Sequence, residues 1–328
     1  MTRALAVILL LARLPLPVRR RGLRLMWRVT LPFRKDVGFG LEPVVRRHLR
    51  IGTREARSLA LEHDYQDLLL IMEWHASILR SQRQLEADER HIHVTDPALA
   101  ERIAGTGDVV ILAAMHMGVF PIGITAMVYK YFRGRRLLVL RARDDLEENN
   151  AAMDRLRAVA GELRILNTRN EEDFLDAMRF VRKGGVVVSL IDLPETYGSP
   201  AETTLFGETA VIAMGLDAMA RMLKAVVLPM TVHSLPSRDE IVLGHPFEVS
   251  QTSARDRASL ARAMGRQIEQ FVTLAPSQWH MWTRIPEFFP RQYAVGSGAR
   301  PVPLEGTAAI GRSEAGEIGI GGHAHAAV

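Results

Sequence analysis

Four short apolar runs, separated by helical patterns, constrain the fold of this chain more than any other feature. The runs occupy residues 108–115, 137–140, 186–191 and 225–232. A run of this length without polar alternation is typical of a strand buried on both faces of a sheet. Helical patterns between the runs cover residues 148–160, 172–182 and 214–223. Strands that alternate with helices predict an α/β fold with a mostly parallel central sheet flanked by helices.

The ends of the predicted strands carry polar residues. His116 follows the first run, Arg141 the second and Asp192 the third, and His233 closes the fourth. In an open parallel sheet the carboxyl ends of the strands form one edge, and ligands bind at that edge. The sequence therefore predicts a site at this edge that contains His116, Arg141 and Asp192.

The first 60 residues are strongly basic, with 14 Arg and Lys residues against 3 Asp and Glu residues. Residues 4–12 are apolar, but as a helix they span only about 13 Å of a hydrocarbon core about 30 Å thick. Apolar residues then interleave with Arg19, Arg20, Arg21, Arg24 and Arg28. This pattern favours residues 1–35 as an interfacial membrane anchor whose arginines meet lipid phosphates. A helix packed on the domain and a nucleic-acid-binding arm are the alternatives.

The rest of the chain reads as one domain with a tail. Helices predicted over residues 42–50, 53–61 and 65–84 form a helical N-terminal region before the sheet. Residues 291–328 are rich in Gly and Ala and predict a disordered tail, which leaves residues 36–290 as the α/β domain. The absence of cysteine excludes disulfides, thiolate catalysis and metal sites with Cys ligands.

Five segments follow one another in a characteristic order. GDVVILAAMHMGVFPIG joins a strand to a histidine, and LLVLRARDDLEENNAAMDRLRAVAGELRIL joins a strand, arginines and a helix. FVRKGGVVVSLIDLP ends a strand in Asp, TTLFGETAVIAMGLDAMARMLKAVVLPM begins with an FG-x-x-A segment, and PSQWHMWTR is rich in tryptophan. Over residues 14–290 this order resembles the bacterial lysophospholipid acyltransferase superfamily. The branch it resembles contains the lipid A late (lauroyl/myristoyl) acyltransferases and the phosphatidylinositol mannoside acyltransferases.

The resemblance implies acyl transfer with His116 as general base, because imidazole titrates near neutral pH. The family motif places Asp or Glu five positions after this histidine, where the present chain has Pro121. Another carboxylate could replace the missing acid: either Glu202, which precedes Gly207 as a functional glutamate does in the mannoside branch, or Asp192. Alternatively the histidine acts alone, or the protein has lost the activity of its relatives.

The resemblance also implies contacts to the substrates. Arg141 and Arg143 offer guanidinium groups to a phosphate of the acceptor or of the donor's arm. Gly118 allows substrate to approach the backbone. Phe120 belongs to an apolar slot for the acyl chain, and Gly207 to the FG-x-x-A segment. Core packing and surface ion pairs are the structural alternatives for these residues.

The implied reaction moves a fatty acyl group from an acyl carrier protein (acyl-ACP) or CoA thioester (acyl-CoA), with O-acyl transfer as the leading form. The acceptor is a hydroxyl or amine of a lipid, glycolipid or lipid-like molecule. The expected location is the cytoplasmic face of the bacterial inner membrane, in contact with anionic lipid. No cofactor, metal or nucleic acid is expected. A non-catalytic lipid- or partner-binding relative is the alternative to an enzyme.

Overall fold

The computed structural model describes residues 3–33, 38, 40–141, 156–167, 173–250, 253–290 and 292. The strands are β1 Ile92–Val94, β2 Val110–Ala114, β3 Arg136–Arg141, β4 Glu162–Asn167, β5 Val186–Leu190, β6 Pro200–Leu205, β7 Glu208–Ala213, β8 Val226–Ser234, β9 Asp239–Leu243 and β10 Phe247–Glu248. The helices are α1 Arg3–Ala12, α2 Leu16–Thr30, α3 Glu42–Leu49, α4 Thr53–Leu79, α5 Gln82–Glu89, α6 Pro97–Gly105, α7 Phe120–Tyr131, α8 Phe174–Val181, α9 Leu216–Leu223, α10 Ala254–Leu274 and α11 Ile285–Phe288. Short 3-10 helices include Pro276–Gln278 and His280–Arg284.

The central sheet has the order β1-β9-β8-β2-β5-β3-β4, and β10 pairs with β8 outside this path. Strands β8, β2, β5, β3 and β4 run parallel, whereas β9 is antiparallel to β8. The predicted α/β fold with a mostly parallel sheet is therefore confirmed. Strand β2 lies between β8 and β5, and its last residue, Ala114, is in register with Leu190. Strands β6 and β7 form a separate hairpin.

Burial on both faces explains why the strand sequences are continuously apolar. Along β2, Ile111 and Ala113 face one hydrophobic core, whereas Val110, Leu112 and Ala114 face the other. These five side chains are at most 1% exposed. Because a sheet alternates its side chains between faces, helices on both sides require every position of β2 to be apolar.

The helical N-terminal region is present, but its helix boundaries differ from the prediction, since the helix predicted to end at residue 84 ends at Leu79 and a separate helix begins at Gln82. Helix α4 runs unbroken from Thr53 to Leu79, where the sequence predicts two helices over residues 53–61 and 65–84. The intervening residues 62–64 are Glu, His and Asp, none of which breaks a helix as Gly or Pro does. Glu62 instead pairs with Arg24 of α2, and His63 is buried.

Three of the five arginines assigned to lipid phosphates in α2 face the protein, so that part of the prediction is wrong. Arg19 and Arg20 are at most 2% exposed, and both donate hydrogen bonds to Glu73 of α4. Their charges are neutralised by carboxylates from other elements, because an unpaired buried charge is costly. The further ion-pair contacts are Arg19–Asp88 at 2.7 Å, Arg20–Asp239 at 2.7 Å and Arg24–Glu62 at 2.6 Å.

This buried ion network ties α2 to α4, α5 and the start of β9. Complete burial alone would raise the pKa of Glu73, but the charges and hydrogen bonds of Arg20 and Arg19 outweigh it and lower that pKa to about 2. Helix α2 is therefore an integral part of the fold. Within the described ranges, no helix combines the length and the apolar character that crossing a bilayer requires.

Candidate active site

His116 and Asp192 meet at the carboxyl ends of the neighbouring strands β2 and β5. The imidazole Nδ1 lies 3.0 Å from Asp192 Oδ1. The other carboxylate oxygen, Oδ2, accepts hydrogen bonds from the His116 backbone N–H at 2.9 Å and from the Trp279 indole N–H at 2.8 Å. Asp192 is fully buried and His116 is 2% exposed. The parallel register of β2 and β5 thus brings together two residues that are 76 positions apart.

Asp192 fixes the orientation of the imidazole ring. Its two oxygens are in hydrogen-bond contact with three groups: the His116 backbone N–H, the Trp279 indole N–H and the His116 imidazole. The carboxylate then accepts a proton-bearing Nδ1, so the lone pair of the neutral ring resides on Nε2. Among the described segments, Asp192 is the hydrogen-bond partner of the His116 ring, and its contact is to Nδ1.

The position of the missing motif acid has a structural role of its own. Pro121 lies in the first turn of α7, where its ring is buried and its lack of an N–H costs no helical hydrogen bond. Of the two carboxylates considered in its place, the structure brings Asp192 to the imidazole. Glu202 lies on the exposed side of β6, opposite Val211 of the hairpin.

The loop after His116 is clamped by the segment that contains Trp279. Met117 and Trp279 form an isolated antiparallel bridge, and the Gly118 N–H donates to the Gln278 carbonyl at 2.9 Å. Gly118 has a φ of +57°, and a Cβ there would lie 2.5 Å from the Val232 carbonyl oxygen. The protein's own backbone therefore requires glycine at this position, independently of any substrate.

The tryptophan-rich segment PSQWHMWTR packs in the core next to Asp192. Trp279 and Trp282 are fully buried, so their rings belong to the core rather than to a membrane interface. Phe206 stacks on Trp282 with ring centroids 5.4 Å apart, and Gly207 completes the β6–β7 turn with a φ of +77°. The indole donor to Asp192 is the main feature that the sequence did not identify, although the PSQWHMWTR segment contains it.

The predicted substrate contacts lie near the same sheet edge. Arg141 is the last residue of β3, the neighbour of β5, and it is 5% exposed. The Phe120 ring packs edge-on against His116 with centroids 5.1 Å apart. Arg143 lies outside the described residues. The substrate-binding roles of Arg141, Phe120 and Gly207 stay predictions.

No group of three or more His, Asp or Glu side chains in the described segments is arranged to hold a metal ion. Comparison with curated proteins finds no match to this chain. A family model described as bacterial lipid A biosynthesis acyltransferase matches residues 78–285. That range contains His116, Asp192, Trp279 and the ten strands found in the described residues.

Proposed function

Because the chain belongs to the bacterial lipid A biosynthesis acyltransferase family, we propose that it acylates a hydroxyl or amine of a lipid, glycolipid or lipid-like acceptor. The acyl donor is a thioester of acyl carrier protein or CoA. The observation that carries this proposal is the buried His116–Asp192 pair. The pair gives His116 a carboxylate partner although Pro121 stands at the motif position of the acid, and this favours an enzyme over a non-catalytic relative.

In the proposed reaction His116 Nε2 takes the proton of the acceptor hydroxyl while the oxygen attacks the thioester carbonyl. Asp192 stabilises the imidazolium that forms. The tetrahedral intermediate then collapses, the C–S bond breaks, and the imidazolium returns the proton to the departing thiolate. The products are the acyl ester and a free thiol.

The developing oxyanion needs a donor or a cation. The backbone N–H groups of residues 116–119 already have partners: the Asp192 carboxylate, the Met115 carbonyl, the Gln278 carbonyl and the Ser234 hydroxyl. Arg141 is a cationic residue at the same sheet edge. We assign it to the negative charge of the substrates, either the oxyanion or a phosphate.

The decisive experiment measures thiol release from acyl-ACP and acyl-CoA in the presence of lipid and glycolipid acceptors. A colorimetric thiol reagent suits this protein because the chain has no cysteine to react with it. His116→Ala is expected to abolish acceptor-dependent release. Asp192→Asn is expected to lower kcat by up to about 10⁴-fold, as the loss of the corresponding Asp does in a Ser-His-Asp triad.

Glu202→Gln is the matched control, since it neutralises the other candidate carboxylate. It is expected to retain wild-type kcat. Equal losses in the Glu202 and Asp192 variants, or transfer that survives without His116, would contradict the assigned base and acid. Folded wild-type protein that transfers from neither donor to any acceptor would contradict the function itself.

We propose that the exposed surface of α1 and α2 binds the cytoplasmic leaflet of the membrane. Large apolar side chains are exposed along these helices and just beyond them: Val7, Leu10, Leu14, Val18, Leu25, Val29 and Phe33. Arg21 and Arg28, which point away from the buried ion network, are exposed beside them. Apolar insertion together with cations suits an anionic interface.

Vesicle flotation tests this surface. Leu25→Glu, at a side chain 64% exposed, is expected to weaken binding to anionic vesicles. The matched control is Leu175→Glu on α8, at a leucine 57% exposed far along the chain, which should leave binding unchanged. Equal effects of the two variants would contradict a membrane face on α1 and α2.

We propose that an acidic carrier protein docks on α3. Arg46, Arg47 and Arg50 line an open cavity there with Pro43 and Ile51. Arg50 reaches the β6–β7 turn, since a Cβ on Gly207 would lie 3.0 Å from its guanidinium. Arg46→Glu is expected to raise KM for acyl-ACP more than KM for acyl-CoA, because a carrier protein presents an extended acidic surface whereas the negative charge of CoA is confined to its phosphates. An equal change for both donors would contradict this docking site.

A further inference from the structure

A second histidine, His280, contacts the loop that carries His116. Its backbone N–H donates to the His116 carbonyl at 2.9 Å. Its ring Nε2 lies 2.8 Å from the Gly118 carbonyl oxygen, and its Nδ1 lies 2.7 Å from Asp67 Oδ1 on α4. The His280 side chain is only 4% exposed. Both ring nitrogens are therefore committed to partners inside the protein.

The chemistry of these partners fixes the protons on the ring. A carbonyl oxygen only accepts hydrogen bonds, so Nε2 carries a proton. A carboxylate also only accepts, so Nδ1 carries one as well. A ring with protons on both nitrogens is an imidazolium, and Asp67 is its counter-ion. A neutral His280 would have one proton for two acceptors, and one of the two contacts would be lost.

The contact to Gly118 bears directly on the base. Gly118 adopts a left-handed conformation, and its carbonyl has a charged donor in His280 while its N–H donates to Gln278. His116 stands two residues earlier in the same loop. We propose that His280, held doubly protonated by Asp67, is a positioning residue that fixes the Gly118 peptide and thereby the orientation of His116. This inference rests on the proposed acyl transfer.

The proposal makes acyl transfer depend on two histidines in opposite states. His116 must be neutral to accept a proton, whereas His280 must be charged to hold the loop. The groups that face the His280 ring are Asp67 and His63 from α4, the Gly118 carbonyl from the loop and the Phe120 ring from α7.

The test compares kcat and KM in four variants. His280→Ala should lower kcat about tenfold or more and leave KM within twofold, because a charge-assisted hydrogen bond is lost away from the substrate. His280→Gln keeps a neutral donor for Gly118, so it should recover part of kcat. Asp67→Asn removes the carboxylate that holds the second ring proton and should lower kcat with KM within twofold. His75→Gln, on α4 outside the site, is the control and should keep the wild-type kcat and KM.

A readout that does not need activity separates this inference from the proposed function. In protein with ¹⁵N-labelled histidine rings, the His280 signal, assigned by its loss in His280→Gln, should report protons on both nitrogens at neutral pH. A neutral His280 ring would overturn the inference, as would a wild-type kcat in His280→Ala. If the wild type transfers no acyl group, the proposed function fails, and the ring signal still decides the charge of His280.

Discussion

Replacing Glu73 by Gln removes one negative charge from the buried network that joins α2 to α4. Glu73 is 1% exposed and accepts hydrogen bonds from Arg19 at 3.1 Å and from Arg20 at 2.8 Å. Without the negative charge of Glu73, Arg19 still pairs with Asp88 in this network, and Arg20 still pairs with Asp239. The positive charges of two buried guanidinium groups would then be incompletely neutralised, which destabilises the folded state.

Two independent arguments give the size of the effect. A pKa lowered from 4.5 to about 2 corresponds to about 3 kcal/mol of folding free energy. Removal of one partner from a buried ion pair typically costs about 3–5 kcal/mol. We therefore expect Glu73→Gln to lower the free energy of unfolding by about 3 kcal/mol at pH 7. The matched control is Glu62→Gln, which breaks the half-exposed pair with Arg24 on the same two helices and should cost about 1 kcal/mol or less.

The pH dependence follows from the lowered pKa. The contribution of Glu73 is complete above pH 4.5 and is lost as the pH falls toward 2, because the unfolded chain then binds a proton that the folded chain does not. Urea unfolding followed by circular dichroism at pH 7 and pH 3 measures both effects. The difference between wild type and Glu73→Gln should shrink by more than half at pH 3. A loss at pH 7 no larger than that of Glu62→Gln, or a difference that does not change with pH, would refute the reasoning.

Three further substitutions test single residues in the site and in the β6–β7 turn. Trp279→Phe keeps the buried ring but removes the N–H that Asp192 accepts, so kcat should fall about tenfold with KM unchanged in steady-state assays. Gly118→Ala places a methyl group 2.5 Å from the Val232 carbonyl oxygen and should lower the melting temperature and abolish transfer; a wild-type melting curve would contradict the assigned backbone strain. Gly207→Ala, at a φ of +77°, should cost about 1 kcal/mol in urea unfolding, whereas Gly52→Ala, where a Cβ meets nothing, should not show a backbone penalty of this kind.

The sequence predicted the central strands well because each of them is buried on both faces. That burial makes the apolar runs continuous, and β2, β3, β5 and β8 begin and end within about two residues of the predicted runs. The same runs indicated which polar residues follow the strands, and His116, Arg141 and Asp192 do lie at one edge. The hairpin of β6 and β7 and the strands β1, β4, β9 and β10 were missed, since exposed or half-buried positions interrupt their apolar pattern.

The contacts that complete the site depend on strand order and on segments far apart in the chain. The local pattern of residues carries no information about either. The pairing of His116 with Asp192 requires β5 to lie beside β2, and nothing in either run specifies that neighbour. The buried arginines were misassigned for a related reason. Arg20 reads as a surface residue until Glu73 and Asp239, 53 and 219 positions away, are brought to it by the fold. His280 and Asp67 are separated by 213 positions.

The acid beside His116 follows a strand, whereas the family motif would place it on helix α7. This difference determines whether a movement of α7 changes the distance between base and acid. An acid at position 121 would travel with α7, whereas Asp192 is attached to a strand that is hydrogen-bonded to β2 along its whole length. A tilt of α7, and of the Phe120 ring that it carries against His116, would leave the distance between base and acid unchanged. Under the proposed acyl transfer, we therefore expect α7 to admit acyl chains of different width beside the imidazole while the distance between His116 and Asp192 is kept.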